Sequence, residues 1–341
     1  MKPHISVIVT AFHRKDFIRK AIMSAIQQDL DRAEYEIIAV NNFDDHEFEQ
    51  FCRENGVMSV KYENDRLGAM LAVAIRAAKG NIICFLDDDD LFSRDKLRKV
   101  KELFDHYTSL TYYHNDGTYI DEEGNNIEKL NKLNDNGIGK ILLDDGRKNR
   151  HYREFINSVH RFGSSCISVR STLLEKHLDE IQKIRVSPDI FITTCALLSD
   201  GAVYSDNSKL VFYRISRQQW SGYRNDLSWS GMITIHSRAS DSAYGYGILS
   251  EIATKTQHVR LRRYVDSVYL ARTASASILN PVLSRKSLAS AWHGYVKTKG
   301  LFYTIRLISE RASRFAILSS MTYFIAPGIA RSTFMKMTPT I

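Results

Sequence analysis

Cysteine is scarce in this chain: Cys52, Cys84, Cys166 and Cys195 are the only four among 341 residues. None falls in a C-x-x-C pair, which removes the usual zinc and dithiol redox motifs and fits a reduced, cytosolic setting. Long apolar runs are also missing near the start. The opening "MKPHISVIVTAFHRKD" returns to polar residues after a short apolar stretch, so it reads as the first strand of a domain rather than a signal peptide or a membrane span. No internal repeat and no low-complexity segment occurs. At 44% hydrophobic and 25% charged residues the composition is globular, and the length allows one large domain or a domain with an appendage. Acidic residues are rare in one region only. From Ser230 to Ile341 there are 15 Lys and Arg against 4 Asp and Glu, which leaves the first 229 residues mildly acidic and concentrates the chain's net +8 in the tail.

What is present in the first half is an alternation of two periods. "ISVIVT", "YEIIAV", "VMSVKYE" and "NIICFL" are short β-rich runs. Between them lie helical patterns: Phe17, Ile18, Ala21, Ile22, Ala25 and Ile26, a short helix ending at Gly56, and "LGAMLAVAIRAAKG" closed by Gly80. Strand and helix in this rhythm predict an α/β fold, with parallel strands joined by crossovers and helices on both faces. Further on, Ser93 is a candidate cap for a helix through His106, and "TYIDEEGNNIEK" reads as a hairpin around Glu123-Gly124-Asn125. Asn131 to Arg153 is polar and is expected to be a long loop. "SSCISVR" is a strand, Ser171 caps "TLLEKHLDEIQ", "SPDIFITTCALLSDG" is a capped helix ending at Gly201, and "AVYSD" and "LVFYRIS" are closing strands.

The run "FLDDDD" puts Asp87, Asp88, Asp89 and Asp90 at the carboxyl end of an apolar strand, where open α/β sheets bind ligands. Four adjacent carboxylates raise one another's pKa unless a counter-charge is supplied. Mg²⁺ or Mn²⁺ supplies one, often through one or two carboxylates together with a substrate's phosphates. Asp87 and Asp89 suit this if the segment is extended, because alternate side chains then point the same way. The other reading is an Asp-rich turn whose charge complements the dipole of the following helix.

Together these pieces resemble glycosyltransferase family 2. The stretches that carry the likeness are "SVIVTAFHRKDFIRKAIMSAIQQ", "YEIIAVNNFDD", "FLDDDD" followed by "LFSRDKL", "YIDEEGNNI", "SPDIFI" and "YRISRQQWS", spanning roughly residues 4 to 222 in the family's order. The resemblance implies a GT-A fold, a Rossmann-like mixed sheet flanked by helices, over residues 1–229. A helical basic extension follows over 230–341. It implies an inverting transfer of one sugar from a nucleotide-diphosphate sugar, UDP favoured and GDP possible, to a hydroxyl of a lipid-linked or glycan acceptor. Carried onto this chain, Thr10, Ala11 and Phe12 would border the base, and Asn42 stands where the family commonly has an Asp that reads the base edge. His13 replaces a common Asn. Asp87 would contact ribose or metal, Asp88 would line the donor site, and Asp89 would bind Mn²⁺ or Mg²⁺. Asp189, in "SPDIF", occupies the place of the general base. Locally the same residues read as an ordinary helix start, with Ser187 as N-cap and Pro188 at the first position.

"YRISRQQWSGY" offers Arg214 or Arg217 to the diphosphate and Trp220 for stacking on a sugar. Equally, Arg217 and Trp220 fit a surface stack. The stretch is not the Q-x-x-R-W arrangement of processive synthases, so single-sugar addition is expected. Ser164 and Ser165 either face the acceptor or are plain strand residues. A sugar nucleotidyltransferase would want a glycine-rich phosphate loop after the first strand, and "TAFHRKD" contains no glycine. A catalytically silent nucleotide-sugar-binding scaffold on the membrane is the remaining alternative.

The tail reads as basic helices, "HVRLRRYVDSVYLARTASASIL" and "GLFYTIRLISERASRF", followed by the 16-residue uncharged "FAILSSMTYFIAPGIA". That is short of the roughly 20 residues a spanning helix needs, and Pro327 interrupts it. An interfacial helix, peripheral or monotopic on the cytoplasmic face, is expected. A packed helical subdomain or a dimerisation surface, hence a homo-oligomer, is the other reading. No nucleic-acid-binding motif appears, and apolar positions interrupt the basic ones throughout.

Overall fold

Seven consecutive buried residues, Ile5–Ala11, form the central strand β1. It pairs in parallel with β2 (Tyr35–Asn41) on one side and β4 (Ile82–Asp87) on the other, and β2 continues to β3 (Met58–Lys61). A strand flanked on both edges and covered on both faces has no polar side to show, which explains a mostly apolar run, with only Ser6 and Thr10 polar, instead of alternation. Each fully buried Ile or Val in it contributes about 1.5–3 kcal/mol.

The computed structural model describes residues 3–12, 15–63, 66–134, 139–216, 229–280, 285–300, 303–304 and 310–325. The chain divides into two compact units, Met1–Gln219 and Trp220–Ile341. In the first, β5 (Leu91–Phe92), β6 (Leu110–Ile120), β7 (Ile141–Leu143), β8 (Ile167–Arg170) and β9 (Ala202–Arg214) complete a mixed sheet in the order β3-β2-β1-β4-β8-β6-β9-β5, with β7 on β9. β8 runs antiparallel to both β4 and β6, whereas β6 and β9 are parallel.

Helix α1 (Ile18–Ile26) buries Ile18, Ala21, Ile22 and Ala25, a stripe at helical spacing turned toward the sheet. α2 (His46–Glu54) begins at Asp45, whose carboxylate accepts the Phe48 N–H at 3.0 Å. α3 (Leu67–Ala77) stops at Ala78, before the glycine expected to close it. Gly80 serves the sheet instead. A Cβ there would lie 2.5 Å from the Ser6 backbone nitrogen, and the Gly80 N–H donates to Ser6 Oγ at 2.8 Å. α4 (Lys96–His106) is preceded by Asp95; the Ser93 carbonyl accepts the Lys96 N–H at 3.2 Å, and the Ser93 hydroxyl donates to the Asp95 carboxylate instead of capping the helix.

Several sequence expectations are corrected beyond this point. The predicted loop Asn131–Arg153 holds α5 (Glu128–Asn134), β7 and α6 (Asp145–Val159). Polar composition hid α6, whose buried stripe Lys148, Tyr152, Phe155 and Val159 includes a lysine. The hairpin at Gly124 is a turn leading into α5, with one bridge between Ile120 and Asn126. The two closing strands are one strand, β9. Ser171 opens α7 (Ser171–Lys176) as its first residue, not its cap, and His177 separates it from α8 (Leu178–Ile181). α9 (Pro188–Leu198) follows.

The second unit consists of α10 (Trp229–Ile252), α11 (Val259–Leu279), α12 (Arg285–Lys299) and α13 (Arg311–Ile325) among its described residues. Its apolar clusters join Leu270, Ala274, Tyr295 and Ala316, and Ile278, Leu288 and Tyr323. A polar network runs beside them. Asp266 is fully buried, accepts from Ser250 Oγ and Tyr303 Oη, and lies 3.1 Å from the Lys299 ammonium. Among the described residues no helix is long and apolar enough to cross a membrane.

Candidate active site

β1, β2 and β4 end side by side, with Thr10 in register with Asp87 and Ala11 with Asn41. This gathers the predicted donor-site residues at one edge. Thr10 Oγ1 lies 3.4 Å from Asp87 Oδ1, and the Asp88 N–H donates to the Thr10 carbonyl at 3.2 Å. Phe12 and Asn42 are both half-buried at this rim. Ala11 is corrected as to its side chain, which is fully buried in the core. His13, Arg217 and Trp220 lie outside the described residues.

The acidic run is not extended. Asp87 ends β4, the Asp90 N–H donates back to the Asp87 carbonyl at 3.2 Å, and β5 begins at Leu91. The same-face argument for Asp87 and Asp89 therefore does not apply; a turn separates carboxylates that an extended segment would align. Asp87 is half-buried, while Asp88, Asp89 and Asp90 are 4%, 8% and 1% exposed, which ranks Asp87 as the most accessible of the four.

Residues outside the motif hold this turn. Ser165 Oγ accepts the Asp87 N–H at 3.0 Å. Beneath it Lys96, fully buried, donates to Asn115 Oδ1 at 2.7 Å and to the Ser165 carbonyl at 2.8 Å, with its ammonium over the Phe92 ring. Arg214 is also corrected. It is 1% exposed, and its backbone N–H donates to Asp90 Oδ1. Its guanidinium donates to the carbonyls of Asp89, Asp121 and Glu122 and rests on the Phe17 ring at 4.5 Å. A guanidinium so occupied fixes loops to one another rather than facing a diphosphate. Sequence reasoning missed Lys96 and Ser165 as supports. The available signal was a lysine at a core-facing position of α4, beside Leu97, Val100 and Phe104.

Asp90 Oδ2 is, among the described residues, a buried oxygen with no hydrogen-bond partner. Burial pushes this carboxyl well above the ordinary carboxylate range, Asp89 and Asp87 push it further, and the Ser165 hydroxyl and Arg214 N–H offset part of that. The donor set of the turn is all oxygen and Asp90 Oδ2 is left over, a chemistry that suits a hard divalent cation. Among the described residues no group of three or more His, Cys, Asp or Glu is placed to hold a metal ion.

Asp189 sits in the first turn of α9 and is half-buried; desolvation pushes its carboxyl above the ordinary range. It lies near the segment that supports the acidic turn. A Cβ on Gly163 would lie 3.7 Å from Asp189 Oδ2, and Ser165, two residues on, bonds the Asp87 backbone. The predicted N-cap does not form: Ser187 has φ 51, in the left-handed region, and makes no capping bond. It is the only non-glycine residue with positive φ among those described, and it precedes a proline, which disfavours helical backbone further. The helix is fixed elsewhere. Tyr112 Oη meets Thr193 Oγ1 at 2.8 Å, Thr193 bonds the Asp189 carbonyl, and the buried Lys148 ammonium donates to the carbonyls of Ala196 and Ser199.

The sequence model described as "Glycosyl transferase family 2" matches residues 6–177, half of the chain. The chain belongs to glycosyl transferase family 2. Among curated relatives, TuaG of Bacillus subtilis (strain 168) is 28% identical over 237 residues, 64% of this chain and 84% of TuaG. An uncharacterized glycosyltransferase of Rickettsia bellii (strain RML369-C) is 28% identical over 131 residues, 37% of this chain. This chain spans about a fifth of that relative's length (19%). The fold of this family 2 member is similar to that of residues 1–349 of S. aureus TarS, solved with UDP-GlcNAc: TM-score 0.59, 14% identity, 97% of this chain and 89% of that one. It is also similar to the mannosyltransferase PcManGT of Pyrobaculum calidifontis, solved with GDP-Man and Mn²⁺: TM-score 0.53, 13% identity, 97% and 88% coverage. The mixed sheet is accordingly a GT-A fold.

Proposed function

We propose that this family 2 glycosyltransferase moves one sugar, with inversion, from a nucleotide-diphosphate sugar to a hydroxyl of a lipid-linked or glycan acceptor. The observation that carries the reading is the crowded acidic turn at the shared edge of β1, β2 and β4, with Asp189 near Gly163 in the segment whose Ser165 holds that turn. UDP is favoured over GDP; solved relatives of the same fold hold UDP-GlcNAc or GDP-Man.

Thr10, Phe12 and Asn42 line the rim for base and ribose. An amide at Asn42 both donates and accepts, so it pairs with a base edge differently from a carboxylate. Asp87 and Asp89 would hold Mn²⁺ or Mg²⁺, with Asp88 beside them. When bound, the cation supplies positive charge to the departing diphosphate. Asp189 takes the proton of the acceptor hydroxyl as that oxygen bonds the anomeric carbon and the carbon–oxygen bond to the diphosphate breaks. Its partly desolvated setting raises its proton affinity, which suits a base. Single displacement with inversion needs no covalent nucleophile. The basic second unit would keep the enzyme peripheral or monotopic at the cytoplasmic face, near a lipid-linked acceptor.

The test is release of nucleotide diphosphate from UDP-sugars by the purified chain with Mn²⁺. Wild-type release that disappears in Asp89→Ala supports the reading. Equal release by that variant removes the cation role from the turn, and a silent wild type that still binds UDP favours a scaffold.

A further inference from the structure

Helix α13 is apolar on two opposite sides. Its inner side buries Ala316, Ser320 and Tyr323 among the residues of α11 and α12, and Ser320 Oγ accepts from Trp292 Nε1 at 2.9 Å. With about 3.6 residues per turn, Arg314, Leu318 and Met321 come to the other side. Leu318 is 65% exposed and Met321 57%, one turn apart, with Arg314 exposed one turn before them.

This exposure belongs to a pattern. Among the described residues, the large apolar side chains that are exposed are Met58 in the first unit and Ile233, Tyr244, Val259, Leu318 and Met321 in the second. The same stretch of chain carries 15 Lys and Arg against 4 Asp and Glu from Ser230 onward. A second copy of so basic a unit would meet this face with like charge. An anionic lipid surface meets it with opposite charge and accepts the apolar side chains as well.

We propose that the outer side of α13 lies in the interface of an anionic membrane, with Leu318 and Met321 at the acyl boundary and Arg314 among headgroup phosphates. The inference rests on reading the second unit as the membrane-proximal part of the enzyme and is independent of the donor chemistry. Two apolar side chains alone bind lipid weakly, so the contact needs charge and apolar burial together, and that two-part requirement is what the experiment reads.

The full chain is sedimented with vesicles of phosphatidylcholine and with vesicles of phosphatidylcholine and phosphatidylglycerol. Wild type is expected to sediment with the anionic vesicles only, and Leu318→Glu/Met321→Glu to lower the bound fraction about tenfold. Far-UV circular dichroism and melting establish that the double variant is folded, and Leu318→Ser alone, a milder change, is expected to fall between the two. Wild type that ignores anionic vesicles overturns both this contact and the membrane-proximal reading. Binding that the double variant retains overturns the contact on α13 alone. A wild-type dimer by light scattering that the double variant converts to monomer assigns the face to a second copy and also overturns it. None of these results bears on nucleotide release, which tests the enzyme reading separately.

Discussion

Each unit of this chain buries a charged side chain, and the two surround it differently. In the first, the Lys148 ammonium is enclosed by protein and donates to the carbonyls of Ala196 and Ser199, at the end of α9. In the second, Asp266 is enclosed by hydroxyls and cations: Ser250, Tyr303, Lys299 at 3.1 Å and Arg262 at 3.9 Å. The first arrangement uses partial charges of a helix terminus, which are soft and local. The second uses a full counter-ion, which ties α10, α11 and α12 to one carboxylate. The first unit thus places this lysine under the helix that carries Asp189, whereas the second unit uses its carboxylate as a fastening for the unit itself.

That contrast is broken most directly at Asp266. Asp266→Ala removes one side of a buried pair, leaving the Ser250 and Tyr303 hydroxyls without their acceptor and the Lys299 ammonium without its counter-ion, a loss of about 3–5 kcal/mol. Hydrogen exchange is expected to show lost protection across α10–α12 with the sheet of the first unit unchanged. Uniform loss of protection across both units would mean that Asp266 does not act as a fastening local to its own unit.

The next effect falls on the other side of the comparison. Asp189→Asn is expected to leave donor affinity intact by calorimetry and to lower turnover roughly 100-fold or more. Because its folded pKa is raised, the wild-type carboxylate costs stability once pH climbs above its unfolded value. Asparagine removes that cost, so the melting temperature should hold or rise. The same shift places the acid limb of wild-type kcat/KM above the ordinary carboxylate range, and a limb at the ordinary value would show that Asp189 is not the base. A variant that loses activity and stability together would make Asp189 a structural residue, as its helix-start position allows.

The strands β1, β2 and β4 were legible in the sequence because their burial on both faces leaves a continuous apolar run. The location of the acidic turn followed from that, since the run ends where the sheet does. Its shape did not follow, because the spacing of Asp87 and Asp89 is the same in a strand and in a turn. Arg214 and Lys96 were illegible for a shared reason: a buried cation with backbone and amide partners has no local signature, its partners lying between 19 and 125 residues away. α6 was hidden in the same way, its core face including Lys148 and so reading as solvent.

Lys148 also gives the smallest of these effects and the one that separates the two kinds of burial by pH. Desolvation pulls the folded ammonium down to about 8, with Asp145 and Asp200 offsetting part of the shift, against an ordinary value of 10.5. Below about pH 8 the proton is on in both states, and the burial cost is fully felt. Between about 8 and 10.5 the unfolded chain binds more protons than the folded one, so the contribution of this group to stability rises with pH across that window. Lys148→Met leaves the Ala196 and Ser199 carbonyls without their donor, a cost of about 1–3 kcal/mol. It also removes the titrating group. Chemical denaturation of wild type and variant across the window should therefore show the gap between them widening as pH rises. A constant gap would mean that Lys148 is not the buried charge its surroundings imply, and that it is no counterpart to Asp266.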